Sequence, residues 1–203
     1  NAIYGNTYVR DDQGRIVHGE DGLPLSGEKE VLGTGAPDWT LGFSNTISYQ
    51  NVSLDFLIDA KWGGKVFSGT NANAYGNGLH KATLDARAAC DEQAGSNGRY
   101  PEDCFVGEGV IGSVNGEGEV TVDRQNDVGV RPSEYYGRIS GEIAEEFVYD
   151  ANFIKLRQLR LSYDLPSSVM SRVPVRSASV SVVGRNLFYL YDSVPNIIPE
   201  SSY

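Results

Sequence analysis

From Trp39 to Tyr49 the apolar residues Trp39, Leu41, Phe43, Ile47 and Tyr49 fall on every second position, with Thr40, Gly42, Ser44, Thr46 and Ser48 between them. That is the strand period of two, and only Asn45 breaks the apolar face. The next arm repeats the pattern, with Val52, Leu54, Phe56, Ile58, Ala60 and Trp62 on one parity and Ser53, Asp55, Asp59 and Lys61 on the other, interrupted by Leu57. A two-residue turn at Gln50-Asn51 joins the arms, because Asn tolerates the positive φ such turns need. The pattern therefore requires a long two-faced hairpin in which Tyr49 meets Val52, Ile47 meets Leu54, Phe43 meets Ile58 and Trp39 meets Trp62.

Each arm holds about eleven residues, and at about 3.3 Å per residue with a tilt of about 40° it rises about 28 Å, close to the apolar band of an outer-membrane barrel. A tryptophan pair marks one end of the apolar face and Tyr49 the other, as at the two interfaces of a bilayer, where rings with an apolar body and a polar tip collect. The long hairpin of a soluble β-sandwich alternates in the same way and is the competing reading.

Composition narrows the class without deciding it. The 203 residues are 40% hydrophobic, with 24 glycines and 12 tyrosines, which suits an ordered, turn-rich, mainly β protein. A formal charge of -10 argues against nucleic-acid binding, which needs clustered Lys and Arg. The sequence has no apolar run long enough for a transmembrane helix, and a barrel needs none. It opens at Asn1 with no charged n-region or h-region, and its one methionine is Met170, as expected of an internal piece of a longer protein in which any signal peptide lies upstream. Cys90 and Cys104 lie in one polar, Gly-rich segment; a loop of that size is closed by a disulfide worth about 3 kcal/mol in an oxidising compartment, the alternative being two free thiols.

The rest of the chain alternates between periodic and irregular stretches. Residues 1–38 read as a polar loop with a small hairpin around Arg15-Ile16-Val17-His18, and 63–152 as a long irregular loop with a short helix over Leu79 to Ala89. Periodicity returns at Phe153, where Leu159, Leu161, Tyr163 and Leu165 alternate with polar neighbours. Ile154 and Leu156 fall on the polar parity and Lys155 and Arg157 on the apolar one, which calls for either a β-bulge or a stretch standing above the membrane. A turn from Leu165 to Pro174, with one helical turn at Ser167 to Ser171, leads to a fourth strand through Ala178, Val180 and Val182 that breaks at Gly184. The membrane hairpin is thus 39–62, the strand pair 153–189, and 190–203 starts another loop. The short turns at 50–51 and 165–176 share one side and the long segments the other, the asymmetry of an outer-membrane barrel.

Several stretches together resemble the SusC/RagA-type TonB-dependent outer-membrane transporters of Bacteroidetes. They are Arg10-Asp11-Asp12-Gln13-Gly14-Arg15-Ile16-Val17 with Gly22-Leu23-Pro24, Gly35-Ala36-Pro37-Asp38-Trp39, Gly42-Phe43-Ser44-Asn45, Phe56-Leu57-Ile58-Asp59 and Gly63-Gly64-Lys65-Val66-Phe67. Further on they are Phe153-Ile154-Lys155-Leu156-Arg157-Gln158-Leu159, Leu161-Ser162-Tyr163-Asp164-Leu165-Pro166 and Gly184-Arg185-Asn186-Leu187. The resemblance covers nearly all of the chain except 68–150. It implies an all-β fold: the C-terminal part of an antiparallel transmembrane barrel of about twenty-two strands with long extracellular loops, the plug and the TonB box lying outside this chain. Where the family has Asp-Pro-Glu this chain reads Ile198-Pro199-Glu200, and it stops before a final aromatic-terminated strand.

Chemistry of other kinds finds little support. Glu142, Glu145 and Glu146, or Asp55 and Asp59, are the carboxylates a glycosidase would need, without an apolar pocket to raise a pKa. His18 and His80 are far apart, and Gly107, Gly109 and Gly112 lack the Lys-Ser/Thr of a phosphate loop. No catalytic residue, metal site or cofactor is expected. Tyr75, Arg87, Tyr135 and Tyr136 are candidate substrate contacts, since aromatic faces and forked donors hold sugars and peptides. The lipid-facing set is Trp39, Leu41, Phe43, Ile47, Tyr49, Leu54, Phe56, Ile58 and Trp62.

The resemblance implies a non-enzymatic importer of oligosaccharides or peptides in the bacterial outer membrane. Its expected partners are a SusD-like surface lipoprotein, TonB and membrane lipid. The rivals are a secreted carbohydrate-binding β-sandwich module and a glycoside hydrolase domain. A sandwich buries the Trp39/Leu54 face against a second sheet; a barrel leaves it to lipid.

Overall fold

The computed structural model describes residues 1–93, 101–171 and 177–200. In chain order its strands are β1 (Ala2–Tyr8), β2 (Val17–His18), β3 (Ser26–Thr34), β4 (Trp39–Tyr49), β5 (Val52–Trp62), β6 (Lys65–Phe67), β7 (Val110–Val114), β8 (Val120–Gln125), β9 (Val148–Asp150), β10 (Phe153–Asp164) and β11 (Ser179–Asp192). Its helices are α1 (Gly69–Gly76), α2 (Leu84–Glu92), α3 (Pro132–Glu142) and α4 (Ser167–Met170), with 3₁₀ turns at Lys81–Thr83 and Ala144–Phe147. The chain divides into a unit of Gly35–Val66 with Asp150–Tyr203 and a unit of Asn1–Thr34 with Phe67–Tyr149.

The first of these is a four-stranded antiparallel sheet in the order β11-β10-β5-β4. The hairpin takes the register its alternation requires, from Tyr49 opposite Val52 to Trp39 opposite Trp62. Its turn differs in detail from the sequence expectation, because Gln50 rather than Asn51 takes the positive φ, at 51°. Asn51 instead ties the turn to β10: its side-chain amide donates to the Asp164 carbonyl at 2.9 Å, and its own carbonyl accepts from the Asp164 amide at 2.8 Å.

Cross-strand rows carry the apolar face over all four strands. Ile47, Leu54, Leu161 and Val182 form one row, and Tyr49, Val52, Tyr163 and Val180 form another. The ambiguity in β10 resolves as a bulge. The register slips between Leu156 and Gln158 against both neighbours, so Leu156 faces Ile58 on one side and Phe188 on the other. The extra residue, Arg157, reverses parity. Ile154 and Leu156 thereby join the apolar face, while Lys155 and Arg157 turn to the polar one. β11 passes through the expected break at Gly184 and runs to Asp192; the irregularity is absorbed at Asn186, with φ 50°. Its end lies three residues beyond the 189 boundary expected from sequence. α4 supplies the helical turn expected after Pro166, and the remainder of that turn at 172–176 lies outside the described residues. The opposite end of the sheet is laced together, with the Gly63 amide donating to the Asn152 side chain at 2.7 Å and the Ser193 amide to the Asn152 carbonyl at 3.1 Å.

The second unit departs from the sequence reading of two loops, one of them irregular. β1 pairs with β3, β2 lies parallel to β7, and β8 completes a three-stranded sheet. Three helices make this unit mixed rather than all-β. Pro132 opens α3 at a position where its missing N–H costs nothing, and Tyr135, Tyr136 and Ile139 fall on one buried face. The Ser68 hydroxyl caps α1 by accepting from the Asn71 amide at 3.0 Å. The helix expected from Leu79 to Ala89 is displaced: His80 caps the 3₁₀ turn at Lys81–Thr83, and α2 follows from Leu84. Tyr8, Tyr75, Val130, Tyr135, Tyr136, Ile139, Ile143 and Phe147 share one hydrophobic cluster.

Candidate functional site

The two faces of the four-stranded sheet are chemically opposite. On the apolar face Trp39, Leu41, Phe43, Ile47, Tyr49 and Trp62 are exposed, Ile47 at 57%, and Leu161, in the same row across Leu54, is exposed at 52%. Leu54, Phe56 and Ile58 are half-buried because β5 has a strand on each side. Trp39 stacks on Trp62 at 6.0 Å and Trp62 on Tyr191 at 5.6 Å, so three rings line one end of the face. Tyr49 and Tyr163 line the other end.

On the polar face, side chains pair with one another. Thr46 donates to Asp55 at 2.7 Å, and Ser181 donates to Ser162 at 3.0 Å. The densest group forms where the bulge delivers Lys155 and Arg157. Arg157 donates through Nε and Nη2 to Asp59 on β5, at 3.0 and 2.7 Å. Nη2 also reaches the Glu200 carboxylate. Lys155 Nζ and Tyr189 Oη each donate to Glu200 Oε2 at 2.7 Å, and the ammonium lies 4.7 Å from the centre of the Tyr189 ring. Burial alone would raise the Glu200 pKa, but hydrogen bonds from Arg157, Lys155 and Tyr189 outweigh it and bring the carboxyl from 4.5 down to about 2.

Because the folded value is depressed, the stability this carboxylate adds is fully present above about pH 4.5 and is lost as pH falls through about 2. The expected result in the whole protein is a melting difference between parent and Glu200→Gln that is constant above that window and shrinks through it. A difference that does not change with pH rules out the ionic origin.

The structure divides the sequence-named substrate contacts. Tyr75, Tyr135 and Tyr136 are exposed by only 6–8% and pack edge to face, Tyr75 on Tyr136 at 4.9 Å and Tyr135 on Tyr136 at 5.5 Å. Their rings are engaged in the core. A Cβ added at Gly107 would lie 2.4 Å from the Tyr135 ring, so glycine is what lets the backbone approach it. Burial, then the charges of Tyr136, Glu146 and Glu108, push the Tyr135 phenol up to about 12, and burial followed by Glu146 raises Tyr75 too. These phenols remain protonated donors, as in the bond from Tyr75 Oη to Glu146 at 3.4 Å. Arg87 is exposed, and it lines a groove of about 1070 Å³ together with Tyr136, Leu79, Leu84, Glu102 and Arg131.

Glu142, Glu145, Glu146 and His18 have structural partners. Glu142 pairs with Arg138 at 3.2 Å, Glu145 with Arg10 at 3.1 Å, and Glu146 accepts from Tyr8 at 3.0 Å. His18 is fully buried with Nε2 3.1 Å from the Tyr135 hydroxyl, and burial lowers its pKa. Cys90 and Cys104 are joined by a disulfide, with S–S at 2.00 Å. Peptide mapping without reduction is expected to recover the two cysteines as one linked species; alkylation of both thiols in the unreduced protein is the contrary outcome. The clamp at Glu200 escaped sequence reasoning. Its signal was the pair of cations standing on an apolar parity, which needs the bulge to become interpretable.

No protein-family model matches the chain. It is 24% identical over 176 residues to TonB-dependent receptor P3 of Formosa agariphila, covering 87% of this chain and 14% of that protein. It is 26% identical over 200 residues to TonB-dependent receptor P26 of the same organism, covering 98% of this chain and 16% of the relative. The chain thus spans only about a seventh of these curated relatives. Among solved structures, the RagAB peptide importer in its open-open state superposes on all of the chain with a TM-score of 0.57 and 20% identity, using 20% of the importer chain. Its closed-closed state also covers the whole chain, with a TM-score of 0.52 and 18% identity. The resemblance carried by the motifs is therefore met from two directions: this chain is similar in sequence to TonB-dependent receptors and in fold to a segment of the RagAB importer.

Proposed function

We propose that this chain is part of the wall and extracellular loops of a TonB-dependent importer in the bacterial outer membrane. The observation that carries the reading is the four-stranded sheet whose apolar face is exposed between two aromatic rows while its other face carries hydrogen-bonded ion pairs. A bilayer on one side and a watery lumen on the other satisfy both faces at once. The competing sandwich needs the Trp39/Leu54 face covered, and Trp39 and Ile47 are exposed.

In the whole protein the sheet continues into an antiparallel barrel of about twenty-two strands. The loops of 1–38 and 63–152 are extracellular in this reading, on the side where a SusD-like lipoprotein delivers oligosaccharide or peptide, and TonB acts through the plug. Arg87 is the substrate contact retained in this reading. The similarity to receptors and an importer supports transport without covalent chemistry.

The test places spin labels at positions 54 and 55 of the full-length protein in lipid. Label 54 is expected to be relaxed by oxygen dissolved in the bilayer and label 55 by a water-soluble agent. Two labels that both report water, or both report protein interior, overturn the assignment.

A further inference from the structure

The Glu200 clamp has the construction of a receptor with a tethered ligand. Every donor that meets this carboxylate is held independently on a strand. Arg157 is fixed by Asp59 through two hydrogen bonds of 3.0 and 2.7 Å. Lys155 is 8% exposed and rests on the Tyr189 ring, and that ring packs edge-on against Phe153 at 5.7 Å. Glu200 alone comes from outside the strands, in the segment that follows β11. Removing it leaves two cations and a phenol hydroxyl already aimed at one point on the polar face. An ammonium, a guanidinium and a hydroxyl converging on two oxygens are what carboxylate recognition requires.

We propose that Lys155, Arg157 and Tyr189 form a carboxylate-binding subsite, that Glu200 is its intramolecular place-holder, and that a carboxylate-bearing solute exchanges with Glu200 during passage. The subsite's position in a lumen rests on the transporter reading, whereas its chemistry does not. The tether gives Glu200 an effective concentration in the range of about millimolar, so a small free carboxylate competes poorly while Glu200 is present. Removal of Glu200 therefore creates binding, the opposite of what loss of a merely structural residue does.

The probe is trifluoroacetate, followed by fluorine NMR line-broadening with the full-length, detergent-solubilised protein. Glu200→Ala is expected to bind it at least about tenfold more tightly than the parent, with displacement by acetate and not by acetamide. Glu200→Gln, which keeps the side chain's length without its charge, is expected to gain binding too. Adding Lys155→Met and Arg157→Gln to Glu200→Ala abolishes the gain. Equal binding by parent and both Glu200 variants overturns the subsite, as does a gain that survives loss of both cations. The spin labels at 54 and 55 are indifferent to this outcome: a failed subsite with the lipid and water pattern intact leaves the transporter reading standing, and a failed label pattern removes that reading whatever the probe does.

Discussion

In the full-length protein in lipid, Leu54→Arg is expected to cost clearly more than Asp55→Arg, one position along, though less than the about 2–4 kcal/mol of an arginine at the bilayer midplane. Leu54 lies in the row Ile47-Leu54-Leu161-Val182, one same-face step from the row Tyr49-Val52-Tyr163, where a guanidinium has no ion partner within the apolar face. Asp55 is on the other face beside Thr46 and opposite Arg160 on β10, where water is at hand. A charge reversal there disturbs one hydrogen bond of 2.7 Å and sets a second cation opposite Arg160, a small cost where both are solvated. Reversible unfolding from vesicles by denaturant measures both. Equal costs at the two positions would mean that the sheet does not separate lipid from water.

The larger loss is expected at Phe147. Its side chain is 1% exposed, 5.3 Å from the Tyr75 ring and 6.5 Å from that of Phe67, and it closes the cluster that includes Tyr8, Ile139 and Ile143. Phe147→Ala leaves a cavity among aromatic rings that cannot collapse onto it, and the expected cost is about 3–5 kcal/mol. Hydrogen exchange localises that cost, since protection should fall across α1 and α3 while the four-stranded sheet keeps its own. A drop of protection in the sheet with none in the helices would show that this cluster does not stabilise the unit.

How far the residues could be read depends on which physical signal each part carries. The hairpin was legible to the residue because alternation and a two-residue turn leave one register free of conflict. The turn's chemistry was misjudged, since Asn51 serves better as a bond to β10 than as the residue with positive φ. β10 was readable only in its second half: a bulge adds one residue and inverts the parity rule, and the sequence contains no mark that distinguishes an inversion from a polar stretch. The unit of 1–34 and 67–149 was largely illegible, since its helices have only 8, 9 and 11 residues and its tyrosines come together from distant positions. Tyr75, Tyr135 and Tyr136 carry the same composition whether they hold a sugar or each other. Burial decides, and burial is a tertiary fact.

The bulge at Arg157 also divides β10 into two stretches that answer to opposite rules of substitution. From Gln158 onward, the odd-numbered positions belong to the apolar face; before Arg157 the even-numbered ones do. An exchange of Leu156 for a charged residue and an exchange of Leu159 for one are thus equivalent injuries, although a strict two-residue count assigns them to opposite faces of the sheet. The register slips here against both neighbours, with the extra residue on β10 as it faces β5 and on β11, over Asn186-Leu187, as it faces β10, so removing Arg157 shifts half of β10 against two partners at once. Insertions and deletions of single residues should accordingly be absent from 153–157 among functional descendants of this chain, unless a matching change near Asn186 restores the frame.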